Sequence, residues 1–145
     1  MPLRQQHRSR RRPRTRGQAL VEFALVLPVF LLVLCGILDF GFMLYGRMTV
    51  INAAREGARA AVTVPTPTTA TLQAAAQGAA TGVASGVGPL TVTIACVPQP
   101  SKTCAWNSAQ ADSVAVTVSY TYRAFFPLLF GTTIPMASTV QMVLE

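Results

Sequence analysis

The longest apolar segment of the chain lies near its N-terminus and predicts a membrane-spanning helix. Sixteen residues without a formal charge separate Glu22 from Asp39, and twelve of them are Leu, Val, Ile or Phe. Each such residue contributes about −0.3 to −0.6 kcal/mol on a membrane-insertion scale, so together they outweigh the roughly +2.5 to +3.5 kcal/mol cost of one central acid. The uncharged segment is about 24 Å long as a helix, and residues 40–45 extend it to a full span.

The same helix is predicted to continue beyond the membrane, up to residue 62. Small and apolar residues recur there at helical spacing and form one stripe, at Ile51, Ala54, Ala58 and Ala61. Pro65 and Pro67 end the helix, because proline lacks an amide donor and clashes with the preceding turn. We therefore expect one helix of about 43 residues, half in the membrane and half in a globular part.

A second helix and three strands are predicted in the rest of the chain. Residues 68–85 are rich in alanine, with a helical stripe at Leu72, Ala75, Ala79 and Val83. Apolar residues then alternate with small or hydroxyl residues at 90–96, 114–122 and 137–144, which is typical of half-buried strands. The fold class is therefore α+β, with a long N-terminal helix packed on a small antiparallel sheet, which we expect to be a meander.

An apolar segment without a strand pattern, FFPLLFG, occupies residues 125–131 between the last two predicted strands. It could cover the sheet, lie on the bilayer or contact a partner. The pattern does not choose among these three locations.

The positive charge of the chain is concentrated before the apolar segment. Seven of the twelve basic residues lie in the first sixteen positions, where there is no acid, and the remainder of the chain has five basic and five acidic residues. A segment rich in Lys and Arg before a membrane helix stays on the cytoplasmic side, which places the C-terminal part of the chain outside. Nucleic-acid binding is disfavoured, because no aromatic residue interleaves the arginines and a membrane segment follows them directly.

A plain signal peptide or signal anchor is the simplest alternative for this N-terminus. However, the apolar segment exceeds the usual 7–15 residues of a cleavable signal, and no small-x-small cleavage site follows it cleanly. The alternative also leaves Glu22 unexplained, since a carboxylate at the start of a membrane helix needs a partner.

The segment RGQALVEFALVLPVFLLVLCGILDFG, followed by NAAREGARAA, resembles the TadE-like proteins. These are pilin-like subunits of tight-adherence (Flp-type) pilus systems, and the resemblance covers residues 16–62. It implies cleavage after Gly17 by a prepilin peptidase on the cytoplasmic side. Gln18 would then be the first residue and Glu22 the fifth, and Phe23 would stand where related Flp pilins usually carry tyrosine.

The resemblance also implies a domain organisation. Residues 1–17 would be a basic leader that is removed, 18–46 a transmembrane and assembly helix, and 47–145 an extracytoplasmic α+β pilin-like domain. Because the leader carries the excess of positive charge, the mature chain would be neutral.

Two roles are open for Glu22. Its carboxylate could pair with the new N-terminal amine of a neighbouring subunit, which would cancel two charges in a medium of low dielectric constant. It could instead only mark the start of the helix, where the helix dipole favours an acid. The resemblance favours the pairing between subunits.

Two further positions in the apolar segment leave alternatives open. Pro28 removes one backbone donor, so we expect a kink there, which either lets the helix bend during assembly or has no consequence. Asp39 is predicted at the outer membrane edge, where it either pairs with a basic residue of the assembly or lies among lipid headgroups.

The part of the helix that follows the membrane segment, residues 47–62, is called the stem. Its motif N-A-A-R-E-G-A-R is predicted to have a packing role, because the resemblance implies that the motif recurs in the family. An ordinary amphipathic stem is the alternative. The residues concerned are Asn52, Arg55, Glu56, Gly57 and Arg59.

Cysteine chemistry is predicted to be structural. Cys96 and Cys104 lie on the predicted outer side, where oxidising conditions favour a disulfide. That bond would close a nine-residue loop and stabilise the fold by about 2.5 kcal/mol. Cys35, inside the apolar segment, is expected to be inert. No metal site or cofactor is predicted, since the single histidine, His7, belongs to the leader.

No enzyme is predicted, because no base can be assigned to a serine or cysteine nucleophile and no pair of carboxylates has a motif around it. The function we expect is that of a minor pilin or pseudopilin-like subunit of a tight-adherence pilus. Its partners would be a prepilin peptidase, other pilin subunits, the assembly machinery and membrane lipid. The alternative is a single-pass anchor protein of the cell envelope whose small outer domain binds a partner.

Overall fold

The computed structural model describes residues 15–97, 106, 113–127 and 131–144. They form two helices followed by three strands. The helices are α1 (Thr15–Val62) and α2 (Thr69–Val83), and the strands are β1 (Thr91–Val97), β2 (Ser113–Arg123) and β3 (Thr133–Val143). The predicted α+β class, with its long N-terminal helix and small antiparallel sheet, is confirmed.

The contacts of the chain divide it into two compact units, before and after the bond between Cys35 and Gly36. The described part of the first unit is helical, and residues 17–34 are all exposed. Helix α1 contains the segment Gly17–Val62, which is long and apolar enough to cross a membrane by length and composition. The predicted boundaries at residues 17 and 46 concern cleavage and the membrane, and they stay predictions.

Pro28 lies inside α1, and the helix is continuous on both sides of it. The proline ring removes one amide donor from the helical hydrogen-bond pattern. The kink expected at this position stays a prediction.

The sheet of the second unit is an antiparallel meander in the order β1-β2-β3, as predicted. β3 begins four residues earlier than its alternating pattern indicated, because Thr133 already pairs with Arg123 at the end of β2. Pro135 is tolerated within β3 since this strand lies at the edge of the sheet, where one row of amides has no strand partner.

Small residues form the centre of the second unit. The inner face of β2, with Val114, Val116 and Val118, is fully buried in one cluster with alanines from both helices. An ideal Cβ built on Gly57 would lie 3.1 Å from the carbonyl oxygen of Ala76 and 3.4 Å from Cγ1 of Val116. Close approach of α1 to α2 and β2 therefore depends on small side chains in the stem of α1.

Helix α2 is confirmed, and its buried face differs from the stripe by which the sequence indicated it. Its buried residues are Leu72, Ala76 and Ala80, whereas Val83 is 45% exposed. Leu72 is the only large apolar residue in the first part of this alanine-rich helix, so the two stripes that start from it are nearly equal in hydrophobicity. A Thr68–Thr71 capping box starts the helix, and Gln73 Nε2 connects it to β1 by donating to the carbonyl of Val92 at 2.6 Å.

We expect Gly57→Val to lower the free energy of unfolding by about 1–3 kcal/mol, because the added methyl groups overfill a packed contact. Gly78→Val is the matched control, since a Cβ on this glycine of α2 meets no atom within 4 Å. Thermal unfolding of the full chain in detergent, followed by near-ultraviolet circular dichroism, measures both. Equal losses in the two variants would contradict the close contact at Gly57.

Candidate functional site

The Asp39 carboxylate connects α1 to the far end of the sheet. The side chain is only 2% exposed. Its Oδ1 accepts hydrogen bonds from the Tyr122 hydroxyl and, at 3.1 Å, from the Phe125 amide, and its Oδ2 accepts from the Phe126 amide at 3.1 Å. A buried acid costs little when hydrogen bonds satisfy its oxygens. One helical side chain thus holds the end of β2 and the residues that follow it.

The strand pattern explains why Tyr122 reaches this acid. Tyr122 lies on the same face of β2 as the buried Val114, Val116 and Val118, because successive side chains of a strand alternate between faces. β2 then ends at Arg123, and the chain turns so that two consecutive amides point at one carboxylate.

The Tyr122 hydroxyl keeps its proton over the physiological pH range. Burial, together with the hydrogen bond to Asp39, raises the pKa of Tyr122 to about 12. The tyrosine is therefore the donor in this pair and the carboxylate is the acceptor.

A cleft lined by aromatic residues lies beside the carboxylate. Phe42, one turn after Asp39 on α1, has its ring centroid 5.9 Å from that of Phe125, with the two rings tilted by 47°, which is a favourable geometry for an aromatic pair. The cleft has a volume of about 890 Å³, and its lining also includes Tyr45, Tyr120 and Arg123. Aromatic residues from both α1 and β2 therefore line the cleft, and Arg123 is the charged residue among its described lining.

The residues predicted to act in cleavage and assembly all lie exposed on the first part of α1. They are Gly17, Gln18, Glu22 and Phe23. The structure gives Glu22 no hydrogen bond or ion pair within the described residues. The cleavage at Gly17 and the pairing of Glu22 between subunits stay predictions.

The stem motif is divided between two faces of α1. Gly57 is buried against α2 and β2, whereas the polar members of the motif are exposed, namely Asn52, Arg55, Glu56 and Arg59. Packing inside the subunit therefore involves Gly57 and the neighbouring alanines. The four polar side chains remain on the surface of the stem.

The remaining predicted positions concern cysteines and metals. Cys104 lies outside the described residues, so the Cys96–Cys104 disulfide stays a prediction. Cys35 carries a free thiol and is partly exposed. Across residues 15–97, 113–127 and 131–144, no group of three or more His, Cys, Asp or Glu side chains could hold a metal ion.

Sequence reasoning missed the partners of Asp39. It offered a basic residue of the assembly or lipid headgroups, whereas the structure shows hydrogen bonds from Tyr122, Phe125 and Phe126 in the same chain. The position of Asp39 at the membrane edge stays a prediction. One available signal was the inward-facing Tyr122 at the end of a predicted strand, since a buried tyrosine hydroxyl needs an acceptor.

We expect Asp39→Ala to accelerate hydrogen–deuterium exchange at residues 124–127, because the Phe125 and Phe126 amides lose their acceptor. Mass spectrometry of the corresponding peptide measures this exchange. Tyr122→Phe is the control, since it removes a donor to the same carboxylate but leaves both amide bonds in place. Unchanged exchange in Asp39→Ala would show that the carboxylate does not hold this segment.

Comparison with known proteins agrees with the resemblance seen in the sequence. The profile of the family described as TadE-like protein matches residues 17–59, and no curated protein or solved structure matches the chain. The matched residues include the apolar segment, Asp39 and the whole stem motif. The match covers less than half of the chain and shows that this segment is similar to TadE-like proteins, and among the described residues one helix is long and apolar enough to cross a membrane. Residues 17–59 therefore carry the TadE-like sequence pattern.

Proposed function

We propose that this chain is a minor pilin-like subunit of a tight-adherence pilus, trimmed by a prepilin peptidase and assembled through its N-terminal helix. The observation that carries the proposal is the exposed apolar surface of α1 within the segment that matches the TadE-like family. The proposed role is structural and includes no catalytic step.

The apolar surface of this helix must be shielded from water. Its large apolar side chains between residues 20 and 34 are 36–72% exposed. A contiguous apolar surface of this kind is stable only against lipid or against other apolar helices. In a pilin-type subunit, this surface would contact the bilayer before assembly and the helices of neighbouring subunits after it.

Gly17 is suited to be the site of trimming. It lies in the first turn of α1, is exposed, and an ideal Cβ on it meets no atom within 4 Å. The arginines before it would hold this end on the cytoplasmic side. Cleavage after Gly17 would remove them and leave the amine of Gln18 at the start of the mature helix.

The Glu22 carboxylate would then pair with the N-terminal amine of Gln18 in a neighbouring mature subunit. Gln18 and Glu22 are one helical turn apart, so a charge of each sign would be displayed at the start of every mature subunit. Glu22 is exposed, and a carboxylate facing lipid is costly unless a cation neutralises it. The amine of a neighbouring subunit is the proposed cation, and the pairing would set the axial offset between packed helices.

The proposal places residues 47–145 outside the cytoplasmic membrane. Its partners are the prepilin peptidase, other pilin subunits, the pilus assembly machinery and lipid.

We expect the mature protein to begin at Gln18 in cells with an active prepilin peptidase, and Gly17→Ala to block this trimming. Intact-mass measurement distinguishes the trimmed chain from the full chain. Gly41→Ala is the matched control, because Gly41 is another glycine of α1 with no atom within 4 Å of an ideal Cβ. A wild-type chain that keeps its arginines would favour a single-pass anchor protein over a pilus subunit.

We expect Glu22→Ala to insert into the membrane normally but to fail in assembly, because the proposed partner amine then has no acid. Membrane fractionation measures insertion, and co-purification with sheared pili measures assembly. Glu56→Ala, which removes an exposed acid from the stem, is the control and should remain in the pili. Normal incorporation of Glu22→Ala would rule out the pairing.

A further inference from the structure

We propose that the segment of residues 124–127, with Phe42 and Tyr45 of α1, inserts into the outer interface of the bilayer and seats the globular unit on lipid. This inference rests on the proposed function only for the placement of α1 in the membrane. The surface concerned is called the aromatic rim, and it consists of Phe42, Tyr45, Phe125 and Phe126.

The aromatic rim is exposed although it is strongly apolar. Phe125 is 71% exposed, Tyr45 58%, Phe42 53% and Phe126 44%. In a membrane protein, aromatic side chains are enriched at the boundary between hydrocarbon and water. Lipid is therefore a chemically suitable covering for this surface.

The position of the rim along the chain supports lipid as the occupant. Phe42 and Tyr45 come about 4.5 Å and 9 Å after Asp39 along the helix axis, and Asp39 is the first charge after the apolar segment. Phe125 and Phe126 are held at this level, because their amides donate to the Asp39 carboxylate. Both parts of the rim thus lie where the uncharged part of α1 ends.

The amide groups of this segment meet one part of the requirement for contact with lipid. Non-helical backbone is costly in a bilayer unless its polar groups are paired. The Ala124 amide donates to the carbonyl of Thr132 at 3.3 Å, the next two amides donate to Asp39, and Pro127 has no amide proton. Four consecutive residues therefore present no unpaired N–H group to a medium that cannot accept one.

The charges beside the rim fit a bilayer surface. No charged residue occurs from Ala124 to Leu144, and Arg123 immediately precedes the segment and lines the same cleft as Phe42 and Phe125. A long basic side chain at this position can extend toward lipid phosphates while its neighbours contact the acyl chains. A second copy of the chain is the competing occupant, and the experiment separates the two.

The test places one tryptophan at a time in the full chain, with Trp106→Phe as the background. The probes are Phe125→Trp on the aromatic rim, Leu31→Trp in the apolar part of α1, and Val83→Trp, an exposed site on α2, as the control. Each variant is reconstituted into vesicles of phosphatidylcholine and phosphatidylglycerol with bromine on shallow or deep acyl-chain carbons. Bromine quenches a tryptophan only when it lies close to it.

We expect Phe125→Trp to lose most of its emission with shallow bromines and Leu31→Trp with deep bromines, while Val83→Trp keeps its emission. Quenching at Leu31 without quenching at Phe125 would overturn the seating on lipid and leave the proposed function intact. No quenching at either site would overturn both. A blue-shifted, unquenched Phe125→Trp whose shift grows with the protein-to-lipid ratio would assign the rim to a second copy and overturn the inference.

Discussion

A buried acid on a long helix is the constraint on which the second unit depends. An ionised carboxylate cannot be withdrawn from water without hydrogen-bond donors, and Asp39 obtains them from Tyr122, Phe125 and Phe126, more than eighty residues later in the chain. The position of the sheet's end relative to this part of α1 is thereby fixed by polar contacts. Further along α1, Gly57 and the alanines of α2 allow the two helices to pack closely.

The two parts of α1, before and after Asp39, differ in burial. Residues 17–34 are exposed, and they include the large apolar side chains and one acid, Glu22. The residues after Asp39 form a stem whose inner face is packed by alanine and glycine. Asp39, which is buried, lies between these two parts of the helix. Its hydrogen bonds would let residues 124–127 contact lipid without unpaired amides, which links the fold to the proposed contact with the bilayer.

Sequence patterns predicted the elements in which hydrophobic periodicity and the positions of large apolar side chains indicated the same structure. The length and hydropathy of α1 and the alternation in β2 predicted these elements and the order of the sheet. In α2 the pattern predicted the helix but not its buried face, because alanines occupy both candidate stripes, and the hydrogen bond from Gln73 to Val92 of β1 is not visible in a hydrophobicity pattern. Two of the partners of Asp39 could not be predicted, since the hydrogen bonds of Phe125 and Phe126 come from backbone amides, which every residue except proline carries.

The ionisation of Tyr122 tests the central contact most directly. Absorbance of tyrosinate in the full chain, compared with Tyr122→Phe, isolates this hydroxyl. A folded pKa near 12, above the ordinary value of 10.0, means that the neutral hydroxyl stabilises the fold below pH 10 and that this contribution is lost as the pH rises toward 12. The account predicts that Tyr122 is still largely protonated at about pH 11. A Tyr122 that ionises near its ordinary value would contradict the buried hydrogen bond to Asp39.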